Sequence, residues 1–438
     1  MRSLSWLYPL GAVLAGAVLG CGVDAPAYDA GPTGWADASA DASQPADASQ
    51  PADAEPDRES VPVEDGSAPF DGDAEGDAGE EQTSAAPPLV GLMHTEAQLA
   101  FIRANRDEEP WAAAFDQLMA EADAALSLTP QPIEDFDVPP YYQDSEGHEA
   151  AKRRLSDDAY AAYALALAYQ LAESNDARDQ YAEAAVDILH AWALVNREVS
   201  GDDGDLVMMY RGVMLLFAAD LVMRYEGRGT GWQGDFQRWA VDVFGQSAWA
   251  IEEADNNWGD WGTLGAVAVD ALLDNDEAVA QEAERIRQRI EHNFTEDGDV
   301  REETFRTNSG MWYTYFALTS MTAAVQIIKN TTGDDLYTYS APNGRSIGLA
   351  LGAFFFYCLY PDQWPYELPG GPLGELYRLL YPCADEVEIP LPNSWPGNLF
   401  EIMSTVYGEE AWGEWAAPYR PQRGWHAWIY PTLMRGSI

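Results

Sequence analysis

Basic residues are scarce in this sequence, and their scarcity limits the ligands that the chain can bind. The 438 residues include 24 lysines and arginines against 73 aspartates and glutamates, for a formal net charge of −49. Proteins bind nucleic acid through clustered basic side chains that neutralise phosphates, so this composition excludes nucleic acid as a partner. Any polyanionic ligand would need a local basic cleft that opposes the general negative field.

Cysteine and histidine are also rare, with three and five residues respectively. The cysteines and histidines do not occur at the spacings of a zinc site, so we expect neither a metal nor a cofactor. Two of the cysteines, Cys358 and Cys383, lie in the C-terminal third of the chain. In an oxidising compartment they could form a disulfide, and the sequence leaves this open.

The first 20 residues predict a secretory signal peptide. They carry one charge, Arg2, and an apolar run that is too short for a membrane span. The segment ends in Val18-Leu19-Gly20-Cys21, which resembles the lipobox of bacterial lipoproteins. That resemblance implies lipidation of Cys21, which would be the only membrane attachment of a secreted, periplasmic or cell-surface protein. The alternative is an ordinary cleaved signal followed by an incidental cysteine.

Residues 21–88 have the composition of a disordered spacer. They are rich in Ala, Asp, Pro and Ser, and Arg58 is their one basic residue. Too few apolar side chains are present to offset the entropy lost on ordering, and the acidic residues repel one another. We therefore expect a disordered acidic linker between the signal peptide and a folded domain of residues 89–438.

Alternating strand patterns are nearly absent from residues 89–438, where helical periodicity prevails. The predicted helices span residues 159–172, 178–195, 206–225, 236–251, 263–273, 277–294 and 309–329. A Ser-Asp-Asp sequence at residues 156–158 has the composition of an N-cap for the first of these. Repeated helical hairpins predict an all-α domain, an (α/α) barrel or incomplete toroid, which we expect to be monomeric.

The stretch of residues 255–318 combines the side chains that proton removal beside a carboxylate requires. It opens with adjacent amides, Asn256 and Asn257, and later contains Arg306 and Tyr313. An amide can hydrogen-bond a substrate carboxylate and neutralise it. A tyrosine near an arginine can serve as base and acid, because the cation favours the phenolate.

This stretch resembles the alginate lyase family of polysaccharide lyases, which have an α/α toroid fold. The family motif reads Asn-Asn-His with a tryptophan shortly after, then Asp-Gly, Glu, Arg, and a tyrosine seven residues beyond the arginine. The matching positions in this chain are Asn256, Asn257, Trp261, Asp297-Gly298, Glu303, Arg306 and Tyr313.

The resemblance implies a β-elimination without metal or cofactor on a uronate-containing polysaccharide. Asn257 would bind and neutralise the uronate carboxylate, which makes the C5 proton more acidic. Tyr313 would remove that proton, protonate the leaving glycosidic oxygen, or do both. Arg306 would stabilise the enolate-like charge and lower the pKa of Tyr313. Asn256, Trp258 and Trp261 would contact the substrate.

The chain departs from the motif at Trp258, where the family has its histidine. An indole offers one N–H donor and a stacking face, and it cannot act as a base. Either Tyr313 then acts alone or another residue replaces the histidine, and His148 and His426 are the candidates. His426 lies in an aromatic segment with Trp425, which could line a substrate groove or close the core of the last helices.

Two alternative interpretations remain at this point. Asn256 and Asn257 could simply cap the next helix, and the chain would then bind glycans at a surface without catalysis. A glycoside hydrolase would need two carboxyl groups across the scissile bond, for which the candidates are Asp255, Asp260, Glu302 and Glu303. Neither the polysaccharide nor endo or exo action can be read from the sequence.

Overall fold

The computed structural model describes residues 91–229, 231–304, 306, 309–366, 390–393 and 395–438. Helices dominate these residues. The α-helices are α1 (Glu96–Asn105), α2 (Trp111–Ala125), α3 (Ser145–Leu171), α4 (Asn175–Val195), α5 (Gly204–Val207), α6 (Val213–Val222), α7 (Gly231–Trp239), α8 (Gln246–Ile251), α9 (Asn257–Leu272), α10 (Asp276–Asn293), α11 (Arg301–Thr304), α12 (Gly310–Thr332), α13 (Ile347–Leu359), α14 (Gly397–Tyr407), α15 (Glu410–Ala416) and α16 (Pro431–Met434).

Short elements connect these helices. Two π-helical segments, Met208–Gly212 and Ala240–Gly245, join α5 to α6 and α7 to α8. Single 3₁₀ turns occur at Leu336–Thr338, Pro361–Gln363 and Ala417–Tyr419. The two described strands, β1 (Asp135–Asp137) and β2 (Glu198–Ser200), pair in parallel with Phe136 opposite Val199.

The helices form two layers. In the inner layer α3 packs on α6, α6 on α9, and α9 on α12. The outer layer covers them, with α4 against α3, α10 against α9, α13 against α12, and α15 against α14. The outer helix α10 buries one stripe, Val279, Ala283, Ile286 and Ile290, whereas nearly all of α9 is buried. The predicted all-α domain of helical hairpins is confirmed.

Helix α3 begins eleven residues before the predicted N-cap at residues 156–158, and that prediction is wrong. The N-cap is Asp144, whose side chain accepts a hydrogen bond from the backbone N–H of Gly147 at 2.9 Å. Asp158 is buried within the helix and accepts from the indole N–H of Trp192 at 2.7 Å. Its carboxylate therefore serves a contact between helices, and periodicity alone does not distinguish this role from capping.

Glycine at position 259 permits the sharp entry into α9. A Cβ there would lie 1.9 Å from the carbonyl oxygen of Ala254 and 2.7 Å from Nη1 of Arg289. The loop before α9 therefore packs directly on its first turn. This contact fixes the position of Asn257, the first residue of the helix.

None of the helices in the described ranges is long and apolar enough to cross a membrane. The predicted signal peptide, Cys21 and the acidic linker lie outside those ranges. Cys358 is buried in α13. Cys383, its possible disulfide partner, lies outside the described residues, so the disulfide stays a prediction.

Candidate active site

The start of α9 is built around the carboxylate of Glu303. Asn256 is the N-cap, and its side chain accepts from the backbone N–H of Trp258 at 3.0 Å. Asn257 is fully buried, and it donates to Glu303 from its backbone N–H at 2.6 Å and from Nδ2 at 3.0 Å. The two amides thus have different roles. Asn256 caps the helix, whereas Asn257 is hydrogen-bonded to a carboxylate 46 residues away.

Burial raises the pKa of Glu303 to about 7, because the side chain is fully enclosed. Arg306 and the two hydrogen bonds from Asn257 oppose this shift, and Asp260 adds to it. Glu303 also contributes to raising the pKa of Tyr313. One carboxylate therefore connects all three side chains that the sequence predicts as catalytic, namely Asn257, Arg306 and Tyr313.

The raised pKa of Glu303 predicts a pH-dependent contribution to stability. The carboxyl has a pKa of about 7 in the folded chain against 4.5 as its ordinary value, so its contribution is largest below pH 4.5 and is lost as the pH rises to about 7. We expect the unfolding free energy of the wild type, relative to Glu303→Gln, to fall by about 3 kcal/mol over that interval. Urea unfolding of both proteins at several pH values measures this difference. A constant difference would contradict the assignment.

Tyr313 lies in the first turn of α12 and is only 1% exposed. The guanidinium of half-buried Arg306 sits 5.0 Å from the centre of its ring, and its hydroxyl is hydrogen-bonded to Tyr142. Burial raises the pKa of Tyr313 well above 10, and Arg306 only partly opposes the shift. Arg306 therefore lowers the pKa of Tyr313 as expected, but burial outweighs it, so the phenol of the resting protein is protonated.

Tyr142 was missed in the sequence analysis, although it is the half-exposed residue next to Tyr313. It lies in the short segment between Pro140 and the N-cap of α3. His148 supports this segment: its Nδ1 lies 3.1 Å from the carboxylate of Asp203, which also accepts from the backbone N–H of Tyr141 at 2.9 Å. His148 thus ties α3 to its neighbouring loop, and its ring is 5% exposed.

A second cluster surrounds His426 on the faces of the inner helices. The imidazole ring lies 6.0 Å from Trp261 of α9, 5.1 Å from Phe316 and 6.3 Å from Trp312 of α12, between ring centres. Tyr210 of the π-helical segment closes a further side at 5.7 Å. Trp261 is fully buried, so it shapes the interior of this cluster rather than an exposed surface.

Buried cations lie close to His426. Lys152 and Arg211 are both fully enclosed, and each acts electrostatically on the imidazole. Lys152 pairs with Glu149 at 2.7 Å, and Arg211 donates to the hydroxyl of Tyr160 and to the carbonyl of Trp425. Two buried cations therefore lie beside His426 in the interior of this acidic protein.

The two remaining predicted aromatic contacts differ from Trp261. Trp258 and Trp425 are both half-buried. The backbone carbonyl of Trp425 accepts from Tyr160 and Arg211, so the segment that carries it is anchored in the core. The guanidinium of Arg423 lies 5.6 Å from the centre of the Trp425 ring.

Two of the four carboxylates proposed for a hydrolase bind other side chains of this protein. Asp260 is buried and accepts from Nε of Arg289 at 2.7 Å, and Glu303 holds Asn257. Asp255 is exposed on the loop before α9. Within the described part of the chain, histidine, cysteine and acidic side chains form no group that could hold a metal ion.

The chain matches the family model described as alginate lyase over residues 102–364. It also resembles three solved structures. An alginate lyase from Bacteroides ovatus is 18% identical with a TM-score of 0.59, covering 80% of this chain and 99% of that one. Alginate lyase A1-III from Sphingomonas species A1 is 17% identical with a TM-score of 0.62, covering 82% and 99%.

The third structure is a tyrosine-to-phenylalanine variant of alginate lyase A1-III complexed with a tetrasaccharide. It is 17% identical with a TM-score of 0.61, and the match covers 81% of this chain and 97% of that one. At sequence identities this low, the structural similarity establishes a shared fold and nothing beyond it. No curated protein matches this chain.

Proposed function

Since the chain belongs to the alginate lyase family of polysaccharide lyases, we propose that it cleaves a uronate-containing polysaccharide by β-elimination. The observation that carries the proposal is the group of Asn257, Glu303, Arg306 and Tyr313 at the adjacent starts of α9 and α12. It contains an amide, a guanidinium and a phenol, and one buried carboxylate connects them.

Each side chain has a task that follows from its environment. The Nδ2 group of Asn257 gives one N–H to Glu303, and its second N–H can bind the substrate carboxylate. Arg306 stabilises the negative charge that develops on that carboxylate when the C5 proton leaves. Tyr313 is protonated at rest, so it can donate a proton to the glycosidic oxygen as the C4–O bond breaks.

The charge distribution supports an anionic substrate despite the formal charge of −49. Lys152 and Arg211 lie in the low-dielectric interior, where a fixed positive charge acts over a longer range than in water. Together with Arg306 they oppose the negative field of the surface where the polymer would bind.

We further propose that the protein is secreted and attached to a membrane by lipid at Cys21. The linker of residues 21–88 would then hold the folded domain away from the bilayer, at the outer membrane or in the periplasm. Replacement of Cys21 by Ser should move the protein from the membrane fraction to the soluble fraction. Unchanged fractionation would contradict the lipid anchor alone.

A panel of uronate polymers tests the activity. We expect at least one of alginate, glucuronan and the glycosaminoglycans to yield an unsaturated sugar, detected by its new ultraviolet absorbance. Reducing ends without unsaturation would instead identify a hydrolase. Binding without turnover would identify a glycan-binding protein. If no polymer in the panel is bound or cleaved, the proposal is overturned.

A further inference from the structure

Building on the proposed β-elimination, we propose that His426 is the base that removes the C5 proton, through its Nε2 atom. The protonated phenol of Tyr313 can donate a proton, but it can accept one only after it has lost its own. Trp258, at the position of the family histidine, has an indole without an acceptor nitrogen. The elimination therefore needs an acceptor from another part of the chain.

The position of His426 fits this task. The residue follows half-buried Trp425 on the C-terminal segment and lies between the two helices that start with the catalytic group. Trp261, its contact on α9, is one turn after Asn257, and Trp312, its contact on α12, directly precedes Tyr313. A sugar ring bound between Asn257 and Tyr313 would thus have His426 beside it.

The hydrogen bonds of the ring leave the Nε2 atom as an acceptor. The hydroxyl of Tyr315 donates its single proton to Oδ1 of Asn398 at 3.1 Å. Its oxygen lies 3.5 Å from Nδ1 of His426, and we assign the hydrogen of the imidazole to Nδ1, which can then donate it to Tyr315. The lone pair is then on Nε2, which is buried and has no hydrogen-bond partner among the residues that the structure describes.

The surroundings keep His426 neutral, as a base must be before it acts. Burial lowers its pKa well below 6.5, and Arg211 and Lys152 lower it further. Among the described residues, the titratable and charged groups that face it are Lys152 of α3, Tyr210 and Arg211 of the π-helical segment, and Tyr315 of α12. A bound uronate carboxylate would offset the two cations, so the basicity of the imidazole would rise when the substrate binds.

Every proton and electron pair in the proposed reaction is accounted for. The C5–H bond breaks, its proton moves to Nε2 of His426, and its electron pair forms the C4=C5 double bond. The C4–O bond breaks at the same time, and the leaving oxygen takes the proton of Tyr313. Transfer of the proton from the imidazolium to the Tyr313 phenolate then restores both residues.

Replacement of His426 tests the proposal. We expect His426→Ala to lower kcat by about 100-fold or more, whereas the Kd for an oligosaccharide changes less than threefold. Added imidazole should restore part of the activity, which it would not do for a purely structural loss. With a C5-deuterated substrate, the isotope effect on kcat should be larger in the variant than in the wild type. Full activity of His426→Ala would overturn the proposal.

A matched control is His292→Gln, because His292 lies exposed on the outer helix α10 and should be replaceable without loss of activity. If His426→Ala does not fold, nitrogen NMR of labelled histidine in the Tyr313→Phe protein tests the proposal instead. We expect the Nε2 signal of His426 to move when an oligosaccharide binds, and an unchanged signal would overturn the proposal. If the wild type forms no unsaturated product, the proposed function itself fails. If the wild type forms the unsaturated product and His426→Ala is equally active, only the role of His426 as the base is refuted.

Discussion

Tyr313→Phe should abolish the unsaturated product almost completely, with a fall in kcat of about 10³-fold. The phenylalanine ring retains the contact with Arg306, whose guanidinium lies 5.0 Å from the ring centre, so the change removes only the hydroxyl. Without that proton the glycosidic oxygen would leave as an alkoxide, which is unfavourable in a buried site. The ultraviolet absorbance of the product measures the rate, and calorimetry with an oligosaccharide measures the retained affinity.

Tyr337→Phe is the matched control. Tyr337 is also buried, and its hydroxyl donates to the backbone carbonyl of Thr322 at 2.8 Å, within the core. We expect this variant to lose about 1 kcal/mol of stability and to keep its kcat. Equal kcat values for Tyr313→Phe and the wild type would remove Tyr313 from the mechanism. Equal losses in both variants would indicate a general effect of lost hydroxyl groups.

The contact between Arg306 and Tyr313 could be predicted from the sequence, but the protonation state of the phenol could not. A separation of seven residues in the motif places the two side chains near each other, as the structure has them. The pKa of Tyr313 depends on how completely the fold excludes water from its hydroxyl. Burial raises this pKa by more than the cation of Arg306 lowers it. Burial of that extent results from the packing of distant segments, which a local motif does not describe.

Distant partners also explain the missed residues. Tyr142 lies 171 positions before Tyr313, and no periodicity connects them. Glu303 was identified as part of the motif, but its bonds to Asn257 span 46 residues and required coordinates. The helices were nonetheless predictable, because apolar runs in the inner helices and apolar stripes in the outer ones reflect burial directly. Helical signals thus predicted the scaffold, while the polar contacts between helices had to be observed.

One such contact, between Arg289 and Asp260, gives the largest expected change in stability. Arg289 extends from α10 and donates to the carboxylate of Asp260 at 2.7 Å. It also donates to the backbone carbonyls of Ala254 and Asn256, each at 2.8 Å, and so fixes the loop that caps α9. We expect Arg289→Met to cost about 3–5 kcal/mol in urea unfolding, because it leaves a buried carboxylate without its cation. Activity should fall as well, since the loop positions Asn257.

The pH dependence separates loss of the charge pair from loss of packing. Burial already raises the pKa of Asp260 although Arg289 opposes it, and removal of Arg289 should raise that pKa further. The cost of Arg289→Met should therefore shrink as the pH falls and the buried carboxyl becomes protonated. The added change Asp260→Asn should recover part of the stability. Arg228→Met, which breaks an exposed pair with Asp187, should cost at most about 1 kcal/mol. A small cost for Arg289→Met would mean that methionine packing compensates for the lost pair. A large cost that is independent of pH would mean that lost packing, not the unpaired carboxylate of Asp260, destabilises the variant.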